Sequence, residues 1–285
     1  MPRWFLLGLL CLLLLPARAE TIAWAVADGP PFHLPGTVPK PTRPVELGEG
    51  VNDLLIAYLA EELPGFHHRL EHLSRPKMWR LMQAGEPICY VDAFKTPERL
   101  GFAYFSAVTV GMPQVLVTRA GTAGLAGPEL ALKDLLPRKD LRGVFEMGRS
   151  YGAHLDPMLE AARVSRQPLP SSPQLLRMLE AGRMDYLVEY PMALQFYLER
   201  MSPVPELQFY DLLEEREPPP AYVACTRSAW GKTVIEAVDA AIRRLALRPE
   251  SRRALLRWLP AEVRQTHAAR IERYYRERAL QPDLE

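Results

Sequence analysis

The sequence predicts an α/β protein built from two lobes. Strand-like and helix-like segments alternate from residue 21 to residue 91, and a second alternation of the same kind runs from 141 to 190. A separate β-rich segment follows at 221–226. Alternating strands and helices imply parallel strands joined by crossover helices. The chain has 28 prolines among 285 residues, about twice the usual share of ~5%. So many helix breakers exclude a coiled coil, a helical solenoid or a long bundle.

The first alternation opens with a β-rich segment that stops at Asp28-Gly29-Pro30-Pro31, a turn sequence. Apolar residues then recur at helical spacing up to Leu63, where Pro64-Gly65 ends the helix. Pro76 opens a second helix, as proline does at a first helical position. The predicted elements are strands over 21–26, 66–73 and 88–91 and helices over 50–63 and 77–84.

The second alternation follows an apolar run over 108–118, which predicts one long strand. Pro218-Pro219-Pro220 indicates where the chain crosses back before the last strand. The predicted strands cover 141–146, 185–190 and 221–226, and the predicted helices cover 154–163, 172–181, 233–247 and 249–258. We therefore assign residues 20–115 and 219–285 to lobe 1 and residues 116–218 to lobe 2.

Residues 1–19 have the pattern of a signal peptide. Arg3 gives a positive start, an apolar run covers 6–15, and Ala17-Arg18-Ala19 supplies the small-x-small cleavage pattern. The apolar run is too short for a spanning helix, which needs ~20 residues. We expect cleavage after Ala19 and a mature periplasmic protein.

Charge and cysteine content change with that cleavage. Removing Arg3 and Arg18 turns the formal charge of +1 into −1, and a near-neutral chain excludes the basic surface of a nucleic-acid-binding protein. Cys89 and Cys225 remain. An oxidising compartment favours a disulfide between them, and two buried free thiols are the alternative.

Several motifs resemble one bacterial family. Residues 95–99 read K-T-P-E-R and residues 105–106 read F-S, similar to the T-P-E-R…F-S signature of the family 3 extracellular solute-binding proteins. Residues 28–32 resemble the family's D-x-x-P-F loop, and residues 182–185 resemble its G-r-x-D turn. A closer resemblance is to a branch marked by G-R-S-Y-G, here residues 148–152, with a cysteine in each of two strands.

This resemblance implies a fold and a class of function. The implied fold is the two-lobe type 2 periplasmic-binding-protein fold, in which each lobe is a mixed, mostly parallel sheet flanked by helices and the chain crosses over twice. The implied function is capture of a small polar or anionic, amino-acid-like ligand in the cleft between the lobes. A monomer would then deliver the ligand to an ABC permease or a membrane sensor.

The resemblance also implies roles for individual residues. In the amino-acid binders the T-P-E-R arginine clamps the ligand carboxylate, which assigns that role to Arg99, with Thr96 beside it. A guanidinium suits a carboxylate because it binds it bidentately. The second-lobe anion contact falls on Arg149 and Ser150, and the acid that meets a ligand amine falls on Glu189. The remaining candidates, expected to line the cleft, are Asp28, Phe32, Tyr151 and Tyr190.

The chain departs from the amino-acid binders at three positions. Gly29 stands where they often have an aromatic residue, and Asp92 and Phe94 stand where they tend to have small hydroxyl residues. These departures favour an anionic group on the ligand over a standard α-amino acid.

Two other functions remain open from the sequence. One is a dehydratase-like periplasmic enzyme on the same scaffold, with Glu189 or Asp28 as general acid/base. The other is an interaction domain without a ligand. Residues 148–152 also match the G-x-S-x-G nucleophile elbow, but no glycine-rich oxyanion loop precedes them, so we interpret the match as a coincidence.

We expect neither a cofactor nor a metal. No glycine-rich phosphate loop follows the first strand. His67, His68 and His72 form a cluster, but no cysteine or acid stands at a fitting ligand spacing, so we interpret them as part of a solvated edge strand.

Overall fold

Two β-sheets organise the protein in the computed structural model, which describes residues 20–27, 29–168 and 172–285. The predicted signal peptide, residues 1–19, and the candidate Asp28 lie outside the described residues. The strands are β1 (Thr21–Val26), β2 (His67–His72), β3 (Ile88–Ala93), β4 (Ala103–Thr109), β5 (Val115–Arg119), β6 (Glu129–Leu130), β7 (Gly143–Glu146), β8 (Arg166–Gln167), β9 (Tyr186–Glu189), β10 (Leu207–Leu212) and β11 (Ala221–Thr226).

Helices cover both sheets. They are α1 (Val51–Glu62), α2 (Arg75–Gln83), α3 (Pro97–Leu100), α4 (Leu132–Leu135), α5 (Asp156–Ala161), α6 (Ser172–Glu180), α7 (Pro191–Leu198), α8 (Ala229–Ala246), α9 (Pro249–Leu256) and α10 (Ala261–Leu280). The helix α7 and the strand β10 are additions to the elements that the sequence predicts.

The strand order shows how the chain passes between the sheets. The first sheet has the order β2-β1-β3-β11-β4, and the second has the order β6-β10-β5-β9-β7-β8. β1 runs parallel to β2 and β3, whereas β11 runs antiparallel to β3 and β4. The first sheet therefore takes its last strand from the end of the chain, after the second sheet is complete. We call the first sheet with its helices lobe 1 and the second lobe 2.

The predicted strand over 108–118 is wrong, because the structure divides this run. β4 ends at Thr109 in the first sheet and β5 begins at Val115 in the second. Residues 110–114 form the first connection between the lobes, and Pro113 there has no N–H to give to a sheet. A Cβ atom on Gly111 would lie 1.8 Å from the carbonyl oxygen of Pro219. Pro219 belongs to the segment that returns the chain to the first sheet, which is the second connection. The two connections between the lobes therefore pass so close together at Gly111 that no side chain fits there.

Each lobe has apolar cores on both faces of its sheet. In lobe 1, Ile22 and Trp24 pack with residues of α1 and α8, while Ala25 on the opposite face packs with Met78 and Met82 of α2. In lobe 2 the two faces are covered in the same manner by α4 and α5 on one side and by α6 and α7 on the other. Parallel strands buried on both faces explain why their sequences read as nearly continuous apolar runs.

A buried polar group fastens the last long helix to lobe 1. Arg278 on α10 donates to the Asp239 carboxylate on α8 at 2.5 Å, and the Ser106 hydroxyl on β4 donates to the same carboxylate oxygen at 3.0 Å. Arg278 and Asp239 are almost fully buried, so their charges satisfy each other inside the core. The serine of the F-S motif therefore has a structural role, because it joins β4 to the buried ion pair between α8 and α10.

The predicted disulfide between Cys89 and Cys225 is present, with an S–S distance of 1.98 Å. The two residues stand opposite each other on the antiparallel pair β3 and β11, and both are fully buried. The bridge spans 136 positions of sequence. It therefore joins β3, which forms before the chain enters lobe 2, to β11, which forms after the chain returns.

Replacing both cysteines, Cys89→Ala with Cys225→Ala, should lower the free energy of unfolding by about 2–4 kcal/mol, because the bridge restricts a long loop of the unfolded chain. Urea denaturation of the oxidised wild type and of the variant measures the difference. Wild type reduced while unfolded, and kept reduced, is the control and should match the variant. Equal stability of variant and oxidised wild type would contradict the expectation.

Candidate functional site

A cavity of about 470 Å³ lies between the lobes, and both lobes line it. Its size is in the range of small-molecule sites, ~300–1,000 Å³. The walls combine aromatic and charged side chains. The aromatic members are Phe32, Trp79, Tyr90, Phe94, Tyr151, Tyr190 and Tyr197, and the charged members among the described residues are Arg75, Asp92, Arg99, Glu146, Arg149 and Glu189.

Arg99 is held in the lobe 1 wall by its short helix and by an aromatic ring. The Thr96 hydroxyl caps α3 and accepts the backbone N–H of Arg99 at 3.3 Å. The guanidinium carbon lies 4.1 Å from the centre of the Trp79 ring, and Nη1 donates to the Phe94 carbonyl at 2.9 Å. Stacking on tryptophan stabilises a cation.

The charge of Arg99 has no ion-pair partner within the part of the chain that the structure describes. Burial lowers the pKa of Arg99, against the field of Tyr90, yet an arginine stays charged in proteins. The lobe 1 wall therefore presents a stacked, permanent cation to the cavity.

Arg149 and Glu189 form a bidentate ion pair in the lobe 2 wall. Nη1 and Nη2 of Arg149 each donate to one Glu189 oxygen at 2.8 Å, and the side chains are only 15% and 11% exposed. The backbone N–H of Tyr190 also donates to Glu189 at 2.8 Å. Although burial opposes both charges, each partner stabilises the other, which holds the pKa of Arg149 well above and that of Glu189 below its usual value.

The turn at 148–152 uses its own polar groups within lobe 2. The Ser150 hydroxyl donates to the Asp156 carboxylate at 2.5 Å, and the Tyr151 N–H donates to it at 3.0 Å. The Gly152 N–H donates to the Ser150 hydroxyl at 3.2 Å, and Gly152 adopts the left-handed conformation with φ of 96°. The phenol oxygen of Tyr151 accepts the Glu146 N–H at 2.9 Å. These bonds fix the turn that carries Arg149.

Phe32 reaches the cavity from a loop that Asp53 anchors. One Asp53 oxygen pairs with His33 Nδ1 at 2.6 Å, and the other accepts the backbone N–H groups of Leu34 and Gly50 at 2.8 and 3.1 Å. Asp53 is fully buried at the start of α1. The helix therefore holds the proline-rich loop in place, with Phe32 at the cavity.

Asp92 enters the cavity at a distortion in the lobe 1 sheet. Its φ is 71°, a left-handed conformation that aspartate tolerates better than most residues. The register between β3 and β11 shifts beside it, between Tyr222 and Ala224. Burial first, and then the field of Asp92, raise the pKa of Tyr190 well above its usual value. The bulge thus turns an acid towards the opposite wall.

Contacts between described residues join the lobes across the cavity. The Tyr197 hydroxyl of α7 donates to the Pro30 carbonyl at 2.8 Å. Arg75 of α2 pairs with Glu146 of β7 at 3.4 Å. The Phe32 and Tyr190 rings meet edge to face with centres 6.1 Å apart. The two walls are therefore in contact around the cavity.

Gln114 and Glu215 lie where the lobes are connected, and they link the connections to the lobe 2 wall. The Gln114 backbone N–H donates to Glu215 at 3.3 Å. The Gln114 amide donates to the Tyr151 carbonyl at 2.8 Å and accepts from Arg149 at 3.4 Å. Glu215 is 3% exposed, and burial raises its pKa to about 7, while the hydrogen bonds from Gln114 act in the opposite direction.

Most of the predicted site residues meet at the cavity. Arg99, Arg149, Ser150, Phe32, Tyr151, Glu189 and Tyr190 all line it. Thr96 lies behind the wall as the cap of α3, and Asp28 lies outside the described residues. Their ligand-binding roles stay predictions. The residues that sequence reasoning missed include Arg75, Tyr90, Glu146 and Tyr197 in the cavity wall and Gln114 and Glu215 at the connections between the lobes.

The histidines of β2 bind other parts of the protein. The Trp24 indole N–H donates to His68 Nδ1 at 3.1 Å, and His68 Nε2 lies 3.0 Å from the Leu63 carbonyl. His72 Nε2 lies 2.7 Å from the Pro41 carbonyl. Among the described residues, no group of three or more histidine, cysteine or acidic side chains could hold a metal ion.

A scan against protein-family models finds no match for this chain. No curated protein matches its sequence. In residues 20–27, 29–168 and 172–285, no helix is both long enough and apolar enough to cross a membrane.

Solved structures match the fold over most of the chain. An ancestral arginine-binding protein bound to arginine has a TM-score of 0.63 and 17% identity, and the match covers 85% of this chain and 99% of that one. An amino-acid ABC transporter substrate-binding protein from Streptococcus pneumoniae, bound to L-arginine, has a TM-score of 0.58 and 18% identity, with 92% and 97% covered.

A histidine kinase sensor domain with similarity to periplasmic binding proteins is also similar, with a TM-score of 0.64, 14% identity and 84% and 96% of the two chains covered. At such identities the likeness shows the fold. The chain has the mixed α/β, two-lobe fold of the periplasmic binding proteins, as the resemblance in its motifs predicts.

Replacing Glu215 by Gln should stabilise the protein more at pH 8 than at pH 5. The folded-state pKa of Glu215 is about 7, above its ordinary value of 4.5. The protonated carboxyl therefore contributes fully to the free energy of unfolding below pH 4.5, and this contribution is lost as the pH rises through 7. The glutamine stays neutral and still accepts from Gln114, so the gain at pH 8 should be about 2–3 kcal/mol.

Urea denaturation at both pH values measures this effect. The exposed residue two positions along supplies the matched control, Glu217→Gln, which should behave alike at pH 5 and pH 8. The same difference between Glu215→Gln and wild type at both pH values would show that burial does not perturb this carboxyl.

Proposed function

We propose that this protein is a periplasmic solute-binding protein that captures a small polar or anionic ligand between its lobes. One observation carries the proposal: the stacked guanidinium of Arg99 faces a cavity between two lobes and has no ion-pair partner among the described residues. A bidentate hydrogen bond to a guanidinium is a strong and directional way to hold a carboxylate. The two-lobe fold places this guanidinium in the wall of the cavity between the lobes.

Binding would follow hinge closure. The lobes are joined by residues 110–114 and by the segment after Glu215, so rotation about these connections opens and closes the cavity. A ligand held by Arg99 on lobe 1 and by the wall around Arg149 and Tyr190 on lobe 2 would stabilise the closed state. The bond from Tyr197 to Pro30 would add to that closure.

The partner and compartment follow from the same proposal. Residues 1–19 would direct export and be removed after Ala19, and the mature protein would act as a monomer. Among the similar structures, one is a binding protein of an amino-acid ABC transporter and another is a histidine kinase sensor domain. We propose delivery to an ABC permease or a membrane sensor. Residues 20–115 and 219–285 would form one lobe in this function, and residues 116–218 the other.

The enzyme alternative gains no support from the site. Glu189, the general acid/base candidate, accepts from both Arg149 nitrogens and has a lowered pKa. General acid/base chemistry works best with a pKa near the working pH. The similar structures are binding proteins and a sensor domain.

Replacing Arg99 by Ala should weaken ligand binding by roughly 10–100-fold, because a hydrogen bond to a charged group contributes about 1.5–3 kcal/mol. Native mass spectrometry of the mature protein would identify the ligand that it carries, and a thermal-shift panel of amino acids and organic acids would supply others. Calorimetry then compares wild type with the variant.

The exposed Arg80 on α2 provides the matched control, Arg80→Ala, which should bind like wild type. Unchanged affinity in Arg99→Ala would show that the carboxylate clamp is assigned to the wrong residue. A carried ligand that is converted into product would favour the enzyme. No carried ligand and no thermal shift would contradict solute binding itself.

A further inference from the structure

The charge of Glu189 in the lobe 2 wall is already neutralised by Arg149. Both oxygens of Glu189 accept from Arg149 at 2.8 Å, and one of them also accepts the Tyr190 N–H. Little acceptor capacity remains on this carboxylate. A ligand ammonium brought to Glu189 would also lie beside the Arg149 cation, and like charges repel strongly in a buried site. Glu189 therefore offers no favourable place to an ammonium group.

The lobe 1 wall attracts the opposite charge. Arg99 stacks on Trp79 and gives one of its donors to the Phe94 carbonyl, so its other N–H donors can serve a ligand. Asp92, the other charged group near it, has interactions of its own. Within residues 20–27, 29–168 and 172–285, the cavity thus presents the Arg99 cation to a ligand anion, and the acids that line it, Asp92, Glu146 and Glu189, each already have a partner.

Flat rings line the cavity that Arg99 faces. Phe32 and Tyr190 meet edge to face across the cavity at 6.1 Å, and Phe94 and Tyr197 line the same space. Aromatic walls favour ligands with a flat unsaturated body, which stack or pack edge to face on them. Arg99 supplies a guanidinium on the lobe 1 side of this aromatic cavity.

We propose that the cleft selects a carboxylate attached to a flat, unsaturated body and does not require an α-ammonium group. This inference rests on the proposed solute-binding function and specifies its ligand class. It separates this protein from its structural neighbours that were solved with arginine or glutamine bound.

Pairs of compounds that differ only in the ammonium group test the proposal. L-phenylalanine is compared with 3-phenylpropanoate, and L-tryptophan with indole-3-propanoate, by calorimetry on the mature wild-type protein at neutral pH. Benzoate and phenylacetate complete the panel. We expect the acid without the ammonium group to bind at least about tenfold more tightly in each pair, and Arg99→Ala to weaken that binding by roughly 10–100-fold.

Glu189→Gln provides a second measurement. It removes the charge that neutralises Arg149 and keeps an acceptor for one guanidinium donor, so it leaves a second cation on the wall. Affinity for 3-phenylpropanoate should rise several-fold in this variant, with circular dichroism confirming that it is folded. A fall in affinity for phenylalanine in Glu189→Gln, with no gain for 3-phenylpropanoate, would identify Glu189 as an ammonium acceptor and overturn the proposal.

The outcomes separate this inference from the proposed function. Equal or tighter binding of the amino acids overturns the inference and leaves solute binding in place, and loss of that preference in Asp92→Asn would locate the ammonium site on lobe 1. If no member of the panel binds and native mass spectrometry finds a ligand of another class, the inference fails and the proposed function stands. If no ligand of any class is found, both fail.

Discussion

The ion pair between Arg149 and Glu189 is the constraint around which lobe 2 is arranged. Burying two charges costs several kcal/mol for each ion, and only good geometry with further hydrogen bonds offsets that cost. The structure supplies both, with two bonds of 2.8 Å and a third from the Tyr190 backbone. The pair joins the turn after β7 to the end of β9, two neighbouring strands. It therefore specifies the shape of the wall more than it adds to overall stability.

This pair is also linked, through the side chain of Gln114, to the connections between the lobes. Gln114 contacts Arg149, the Tyr151 carbonyl and Glu215. Gln114 lies on the first connection and Glu215 directly precedes the second, so Gln114 links the region of both connections to the wall. A change in the position of Arg149 would alter the hydrogen bonds of Gln114. The cavity wall and the connections between the lobes thus share one polar network, and half-satisfied networks are costly in a buried setting.

The sequence predicts the parts of this protein that depend on local pattern. Strands such as β3 and β9 are apolar runs, and Arg99 follows from the short T-P-E-R motif. The pairing of Arg149 with Glu189 depends on which strands become neighbours, and no local pattern states that. Gln114 and Glu215 are 101 positions apart, and their contact exists only because both connections pass the same point. The break at 110–114 has a local cause in Gly111 and Pro113, yet the apolar residues around them conceal it.

The contact between Gly111 and Pro219 has a consequence for how the lobes can move. The two connections approach so closely that even a methyl group on Gly111 would overlap the Pro219 carbonyl, and well-packed groups resist being displaced past one another. Sliding one connection along the other is closed to this molecule, and turning about their crossing point remains. Such a pivot would turn a small displacement at the cavity into a large displacement at the outer rims of the lobes.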